Sequence, residues 1–153
     1  MTEAKRLFDC IEYHLERKPL EDMLAGKEGG QWKKYSTAAV KDTVDKLSAG
    51  LLSLGISCGD MSAEGRDKVA ILCKNRPEWV MLDLAVQQIG AVLTPIYPTI
   101  NVNELEFVLN DAQVKTVFVN DEELFLKVLS LKEKVHCLKD IYTFEHVPNA
   151  KHW

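Results

Sequence analysis

The chain has 153 residues, 46% of them hydrophobic and 27% charged, and a formal net charge of −4. These totals suit one globular domain able to bury a core, and they exclude a disordered or low-complexity chain. The acidic balance gives no electrostatic reason to expect nucleic acid, and no run approaches the roughly 18 apolar residues of a membrane span. The opening residues, Met1-Thr2-Glu3-Ala4-Lys5-Arg6, precede no apolar stretch long enough for a signal peptide. Four cysteines, at 10, 58, 73 and 137, form no CxxC and sit at no zinc spacing. Reduced thiols and a cytoplasmic home are the expectation.

Residues 2–18 read as an amphipathic helix with Leu7, Phe8, Ile11 and Leu15 on one face, ended by Lys18-Pro19. His14 lies near that face and reads as a helix histidine, because no catalytic partner motif is nearby. Residues 20–35 read as a hairpin turning at Gly26-Lys27-Glu28-Gly29-Gly30. That glycine-rich stretch lacks the Lys-[Ser/Thr] ending and the strand-to-helix step of a phosphate loop, so it is a turn. Ser36 is a candidate N-cap for a helix whose stripe is Val40, Val44, Leu47, Leu51 and Leu54. Lys41/Asp45 and Asp42/Lys46 pair along its wet side, and Gly55 closes it. Residues 56–68 form a charged loop containing a surface insertion at 61–66.

Val69-Ala70-Ile71-Leu72-Cys73 is apolar without alternation, which suits a strand covered on both faces. Asn75 reads as the N-cap of the next helix, with Pro77 in its first turn and Glu78 at capping-box spacing. The helix runs from Trp79 to Ile89, with Asp83, Gln87 and Gln88 as a narrow polar stripe and Gly90 as its stop. Residues 92–96 form a second strand, giving a βαβ unit. A further helix follows, capped by Asn101 or Asn103, with Leu105, Val108, Leu109 and Ala112 inward. Residues 116–119 are a third buried strand. Asp121 caps another helix, with Leu124, Phe125, Val128 and Leu129 inward and Lys132 and Lys134 in its last turn. Residues 135–144 contain one more strand, and residues 146–153 read as a tail without a partner. The alternation predicts an α/β fold: an open, mainly parallel sheet with helices on both faces, preceded by an N-terminal helix and hairpin.

Asp67-Lys68-Val69-Ala70-Ile71, Asn75-Arg76-Pro77-Glu78-Trp79 and Gly90-Ala91-Val92-Leu93-Thr94-Pro95-Ile96-Tyr97-Pro98-Thr99 stand in an order continued by Glu104-Leu105 and Asn110-Asp111. In that order and spacing the chain resembles the N-terminal region of the adenylate-forming enzymes, and within them the long-chain fatty acyl-CoA ligases. The resemblance runs from about residue 8 to residue 144. It implies that the chain is a partial N-terminal domain of a longer enzyme, which joins a fatty acid to coenzyme A through an acyl adenylate. ATP, Mg2+ and CoA would serve that parent enzyme, with none bound to this piece. The remainder of the chain would be its partner, self-association is expected of the isolated piece, and peripheral membrane association stays open. The family's Ser/Thr/Gly-rich loop ending in Pro-Lys-Gly, its ribose-holding acidic residue and its C-terminal lysine have no counterpart here. The resemblance therefore transfers no catalytic, cofactor-binding or metal-binding residue.

Three positions invite a ligand role on their own chemistry. Tyr97 follows a strand where open α/β sheets bind ligands, although packing explains it more simply. Trp79 could line an acyl cavity, but helix core accounts for it. Asn75 is explained as a cap. The alternative to an enzyme fragment is an independent flavodoxin-like binding or interaction module.

Overall fold

The structure, a computed structural model, describes residues 4–153. They form two compact units, one comprising the residues up to Gly55 with Arg76–Ile89, the other Ile56–Asn75 with Gly90–Trp153.

The first unit opens with α1 (Asp9–Arg17). The helix starts well after residue 2, because Asp9 captures the chain ahead of it. Its carboxylate accepts from the backbone N–H groups of Lys5 (3.2 Å) and Arg6 (2.9 Å) and from the Arg6 guanidinium (2.8 Å). Those bonds hold residues 5–8 in a turn; residues 2 and 3 lie outside the described residues. The expected apolar face shrinks accordingly. Ile11 is buried, Phe8 half-buried, and Leu7 (58% exposed) and Leu15 face water.

Strands β1 (Leu24–Glu28) and β2 (Gln31–Tyr35) pair antiparallel from Leu24↔Tyr35 to Glu28↔Gln31. The turn is only Gly29-Gly30, with φ of 56° and 83°, the left-handed pair that a two-residue hairpin requires. Gly26 belongs to β1 rather than to the turn, and it is small for a different reason. A Cβ there would lie 2.7 Å from Pro77 Cδ, at the start of α3 (Pro77–Gln88). Helix α2 (Thr37–Ser53) is capped as expected, Ser36 Oγ accepting from Ala39 N–H at 3.2 Å. It buries Val40, Val44 and Leu51 and carries the Lys41–Asp45 (2.5 Å) and Lys46–Asp42 (2.6 Å) pairs. It is tied to α3 by Ser48 Oγ donating to the Ala85 carbonyl (3.2 Å) and by Gln88 Nε2 donating to Asp45 (3.0 Å). No residue of α3 is exposed, and of its narrow polar stripe Gln88 is spent on the contact with α2.

The second unit is a five-stranded parallel sheet in the order β4-β3-β5-β6-β7. Its strands are β3 (Lys68–Leu72), β4 (Val92–Pro95), β5 (Val114–Val119), β6 (Asp140–Thr143) and β7 (Lys151–His152). Helices α4 (Val102–Asp111) and α5 (Glu122–Leu129) share one core with it: Leu105, Leu109, Leu124 and Val128 join Ala70, Leu72, Val117, Val119 and Ile141. The insertion at 61–66 is a surface turn closed on itself. Asp60 accepts from the Ser62 N–H (2.9 Å) and hydroxyl (2.6 Å), and Ser62 Oγ accepts from Gly65 N–H (2.9 Å).

Two expectations in this unit are corrected. Helix α5 ends at Leu129, so Lys132 and Lys134 lie beyond it and Lys127 is the basic residue of its last turn. The supposed tail is also part of the sheet. Strand β7 pairs parallel with β6, Trp153 N–H donates to the Thr143 carbonyl (3.2 Å), and the Trp153 ring meets Phe144 edge-on at 5.5 Å.

Asn101, not Asn103, caps α4, its Oδ1 accepting from Glu104 N–H at 2.9 Å. Asn101→Ala is expected to cost about 1 kcal/mol of stability. Asn75→Ala should cost nothing measurable, since the side chain is exposed and caps no helix. Urea unfolding of the two variants side by side checks both; equal midpoints would remove the distinction.

Candidate functional site

In an open parallel sheet the ligand crevice lies beyond the carboxyl ends of the strands, where successive connections diverge to opposite sides. Here β3 is followed by β4 on one side, and the chain then crosses to β5 on the other. The divergence falls between β3 and β5, and the residues leaving the sheet at that end define the candidate site.

Asn120, at the end of β5, is buried at its centre. Its N–H donates to the Leu72 carbonyl (3.0 Å), and its Nδ2 donates to Asp121 Oδ2 (3.1 Å) and Glu145 Oε1 (2.9 Å). Glu145 N–H donates back to the Asn120 carbonyl (3.0 Å). Asp121 also caps α5 through Leu124 N–H at 3.1 Å. These groups stitch the ends of β3, β5 and β6 together.

The turn after β4 is equally ordered. Ile96 is buried and its N–H donates to the Ile71 carbonyl (2.9 Å), Ile100 N–H donates to Tyr97 O (3.1 Å), and the Lys127 ammonium donates to the carbonyls of Pro98 (3.3 Å) and Ile100. Tyr97 stands on this turn 84% exposed, so the packing role expected for it is overturned. The neighbouring prolines and the Lys127 clamp fix the backbone and leave the ring in water.

Asn75 leaves β3 at the same end, exposed. It is not the cap of α3; Arg76 is, extended at φ −155° and ψ 155°, with no side-chain cap bond. Pro77 dictates this: a proline at the first helical position forces the residue before it into extended backbone. Glu78 consequently does not close a capping box. It is 3% exposed, accepts from Arg76 Nε (2.9 Å), and accepts from the Tyr35 hydroxyl (3.2 Å). Burial pushes its carboxyl up, but the Arg76 bond, a backbone N–H and Tyr35 outweigh that and hold it below the ordinary value. Burial raises the Tyr35 phenol. Trp79, half-buried in α3, and His14, half-buried in α1, belong to the first unit.

At the opposite, amino end of the sheet Asp67 is buried against Lys115 Nζ (2.5 Å) and Ser57 N–H (2.8 Å). Burial raises its carboxyl, and the Lys115 and Ser57 bonds more than reverse that, leaving it below its ordinary value.

Glu78, Asp67, Asn120 and Lys127 emerge as polar anchors only in the structure. The signal for one was present: Arg76 and Glu78 flank a helix-starting proline, which brings their side chains together. Among the described residues no cluster of three His, Cys, Asp or Glu side chains could hold a metal ion. What this end offers a ligand is a rigid, exposed aromatic turn.

Known proteins share the pattern. Over 112 residues the chain is 30% identical to a long-chain-fatty-acid–CoA ligase of Mycobacterium bovis, covering 73% of this chain and 18% of that protein. It is 27% identical over 133 residues to fatty acyl-CoA synthetase A of Dictyostelium discoideum, covering 86% of this chain and again 18% of the relative. The chain thus spans under a fifth of the length of these relatives. Among solved structures, a putative long-chain-fatty-acid CoA ligase from Rhodopseudomonas palustris superposes with a TM-score of 0.75 at 24% identity, over 95% of this chain and 34% of that one. An anthranilate CoA ligase in complex with anthranoyl-AMP gives 0.72 at 19%, over 89% and 24%. Both share the fold. The sequence profile described as AMP-binding enzyme matches residues 11–152, nearly the whole length, and the chain therefore belongs to the AMP-binding enzyme family.

Proposed function

We propose that the chain is the N-terminal portion of an ATP-dependent long-chain fatty acid–CoA ligase, and that its own role is scaffold within the large domain. The observation that carries this is the family match over residues 11–152, alongside relatives named as fatty acyl-CoA ligases that are several times longer. In the parent, ATP, Mg2+ and CoA would be the cofactors, the fatty acid the substrate, and the remainder of the chain the partner of this piece. The four free thiols support a cytoplasmic home. The unpaired outer edge of β4 supports self-association of the isolated chain.

The residues present do not fit ATP with magnesium. The glycine-rich stretch at 26–30 is a hairpin turn, and the carboxyl-end polar groups are engaged in holding strands together. Charge developing on an α-phosphate needs donors fixed at that position, and the polar groups described at the carboxyl end of the sheet are bonded to one another instead.

Purified chain mixed with ATP, magnesium and fatty acids from short to long is expected to release no pyrophosphate above a buffer blank. The same chain continued into the lengths of its relatives should release it in a fatty-acid-dependent way. Release by the short chain that is lost on mutating one of its own residues would end the scaffold reading. A second reading, an independent flavodoxin-like module, is favoured by one observation: the five parallel strands already make a complete 2-1-3-4-5 order. Inactivity of the extended chain with every acid tried would promote it.

A further inference from the structure

Strand β4 lies at one edge of the five-stranded sheet, and among the described residues its outer side pairs with no strand. Its two ends show which way its main-chain groups point. Val92 N–H donates inward to the Asp67 carbonyl (2.9 Å), and Ile96 N–H donates inward to the Ile71 carbonyl (2.9 Å). The period of two places Thr94, opposite Ala70, with them. Leu93 and Pro95 therefore turn their main-chain groups outward. Leu93 offers a donor and an acceptor, whereas Pro95, which is exposed, offers a carbonyl and no N–H. Val92, Leu93 and Thr94 are half-buried while residues 69–72 of the neighbouring β3 are fully buried, so this edge meets water. Sheet edges are commonly blunted by charge, by a bulge or by proline. Strand β4 has no charged residue and pairs with β3 in unbroken register, which leaves Pro95 as its guard.

We propose that this edge takes a second copy of the chain, antiparallel across a two-fold axis at Leu93, and that Pro95 keeps the pairing weak and reversible. The dimer rests on the self-association proposed above and gives it a surface. On the axis each Leu93 N–H donates to the Leu93 carbonyl of the other copy, the doubly bonded pair of an antiparallel ladder. At Pro95, the next outward position, each copy accepts a bond and gives none, so the flanking bonds are halved in number. No charge on β4 opposes the approach of its own copy. The same patch serves both copies, and the contact closes as a dimer. The sheet's other outer strand is a poorer match. Strand β7 has only Lys151 and His152, and pairing β4 to it would leave an edge open on each copy. A four-residue strand buries far less than a stable interface needs, which makes the association transient.

The test is sedimentation velocity of the 153-residue chain and three variants over a wide range of concentration, with circular dichroism reporting that each folds. The parent is expected to dimerise weakly and to stop at the dimer. Pro95→Val restores the missing donor on each copy and should tighten the dimer about tenfold. Leu93→Lys keeps the ladder to β3, since the main chain of residue 93 points away from it, and sets two ammonium groups opposite each other across the axis. It should weaken the dimer about fivefold, and added salt should restore part of that loss. Phe107→Ser, on the exposed side of α4, should leave the dimer within twofold. Should Pro95→Val fail to fold, Leu93→Lys and its salt dependence decide alone. Association that ignores Leu93→Lys would overturn this surface and leave self-association standing, and loss with Phe107→Ser alone would move the contact to α4. A parent that stays monomeric at every concentration would overturn both. None of these outcomes bears on pyrophosphate release, so the ligase reading stands or falls separately.

Discussion

Glu78→Ala is expected to lower the unfolding free energy by about 3 kcal/mol, at the low end of what breaking a buried ion pair costs. The change removes a carboxylate held by the Arg76 guanidinium and takes away the acceptor of the Tyr35 hydroxyl, at a position almost without solvent access. Glu78→Gln keeps the volume and an acceptor oxygen, so it should lose about half as much. Urea denaturation with a common slope reads both. A Glu78→Ala loss under about 1 kcal/mol would show that Arg76 finds equal compensation elsewhere. The acid limb adds a second check. Because the folded carboxyl sits below its ordinary value of 4.5, its stabilisation is complete above that pH and disappears as pH falls through the folded value. Glu78→Gln should flatten that part of the stability curve and leave the neutral part parallel to the parent.

Asp67→Ala is the other large effect, also about 3 kcal/mol. It strips the partner from Lys115 and leaves the Ser57 N–H without its carboxylate, at the point where β3 and β5 start side by side. Since Asp67 is likewise held below its ordinary 3.8, its contribution is present above that value and fades below it. The parent should therefore unfold in acid with both carboxylates contributing. A double variant, Asp67→Asn with Glu78→Gln, should lose less stability than the parent as pH falls below these two ordinary values, the remainder coming from Asp9, Asp45 and Asp60, whose carboxyls are also held low. Retention of the parent's full acid slope would place the dependence on other groups.

The elements that were legible in the sequence are those whose signals are local. Strand β3 announced itself by unbroken apolar residues, α2 by its stripe and Ser36, α5 by Asp121, and the stops at Gly55 and Gly90 by glycines that adopt φ of 77° and 76°. The misses share a cause: a longer-range or competing interaction decided the matter. Leu7 and Phe8 have helical spacing, yet the Asp9 carboxylate gathers the amides before it into a turn. Strand β7 has two residues, too few for any period, and exists because β6 offers it an edge. Asn75 looked like a cap by residue type, but the geometry of Pro77 passed that place to Arg76. Of the candidate site, the location at the carboxyl ends was readable from the alternation of strands and helices. The exposure of Tyr97 was not, because it depends on the Lys127 ammonium reaching two carbonyls from a helix far along the chain.

The contact between Gly26 and the Pro77 ring bears on how the sequence can drift. Each residue fixes the other: while the proline ring stands there, position 26 admits no side chain, since a Cβ would come within 2.7 Å of it. Substitution is therefore ordered in time. Position 77 must change first, to a residue without a ring over the strand, before position 26 is released, and the reverse order passes through a clashing intermediate. Two sites 51 positions apart thus behave as a single inherited character.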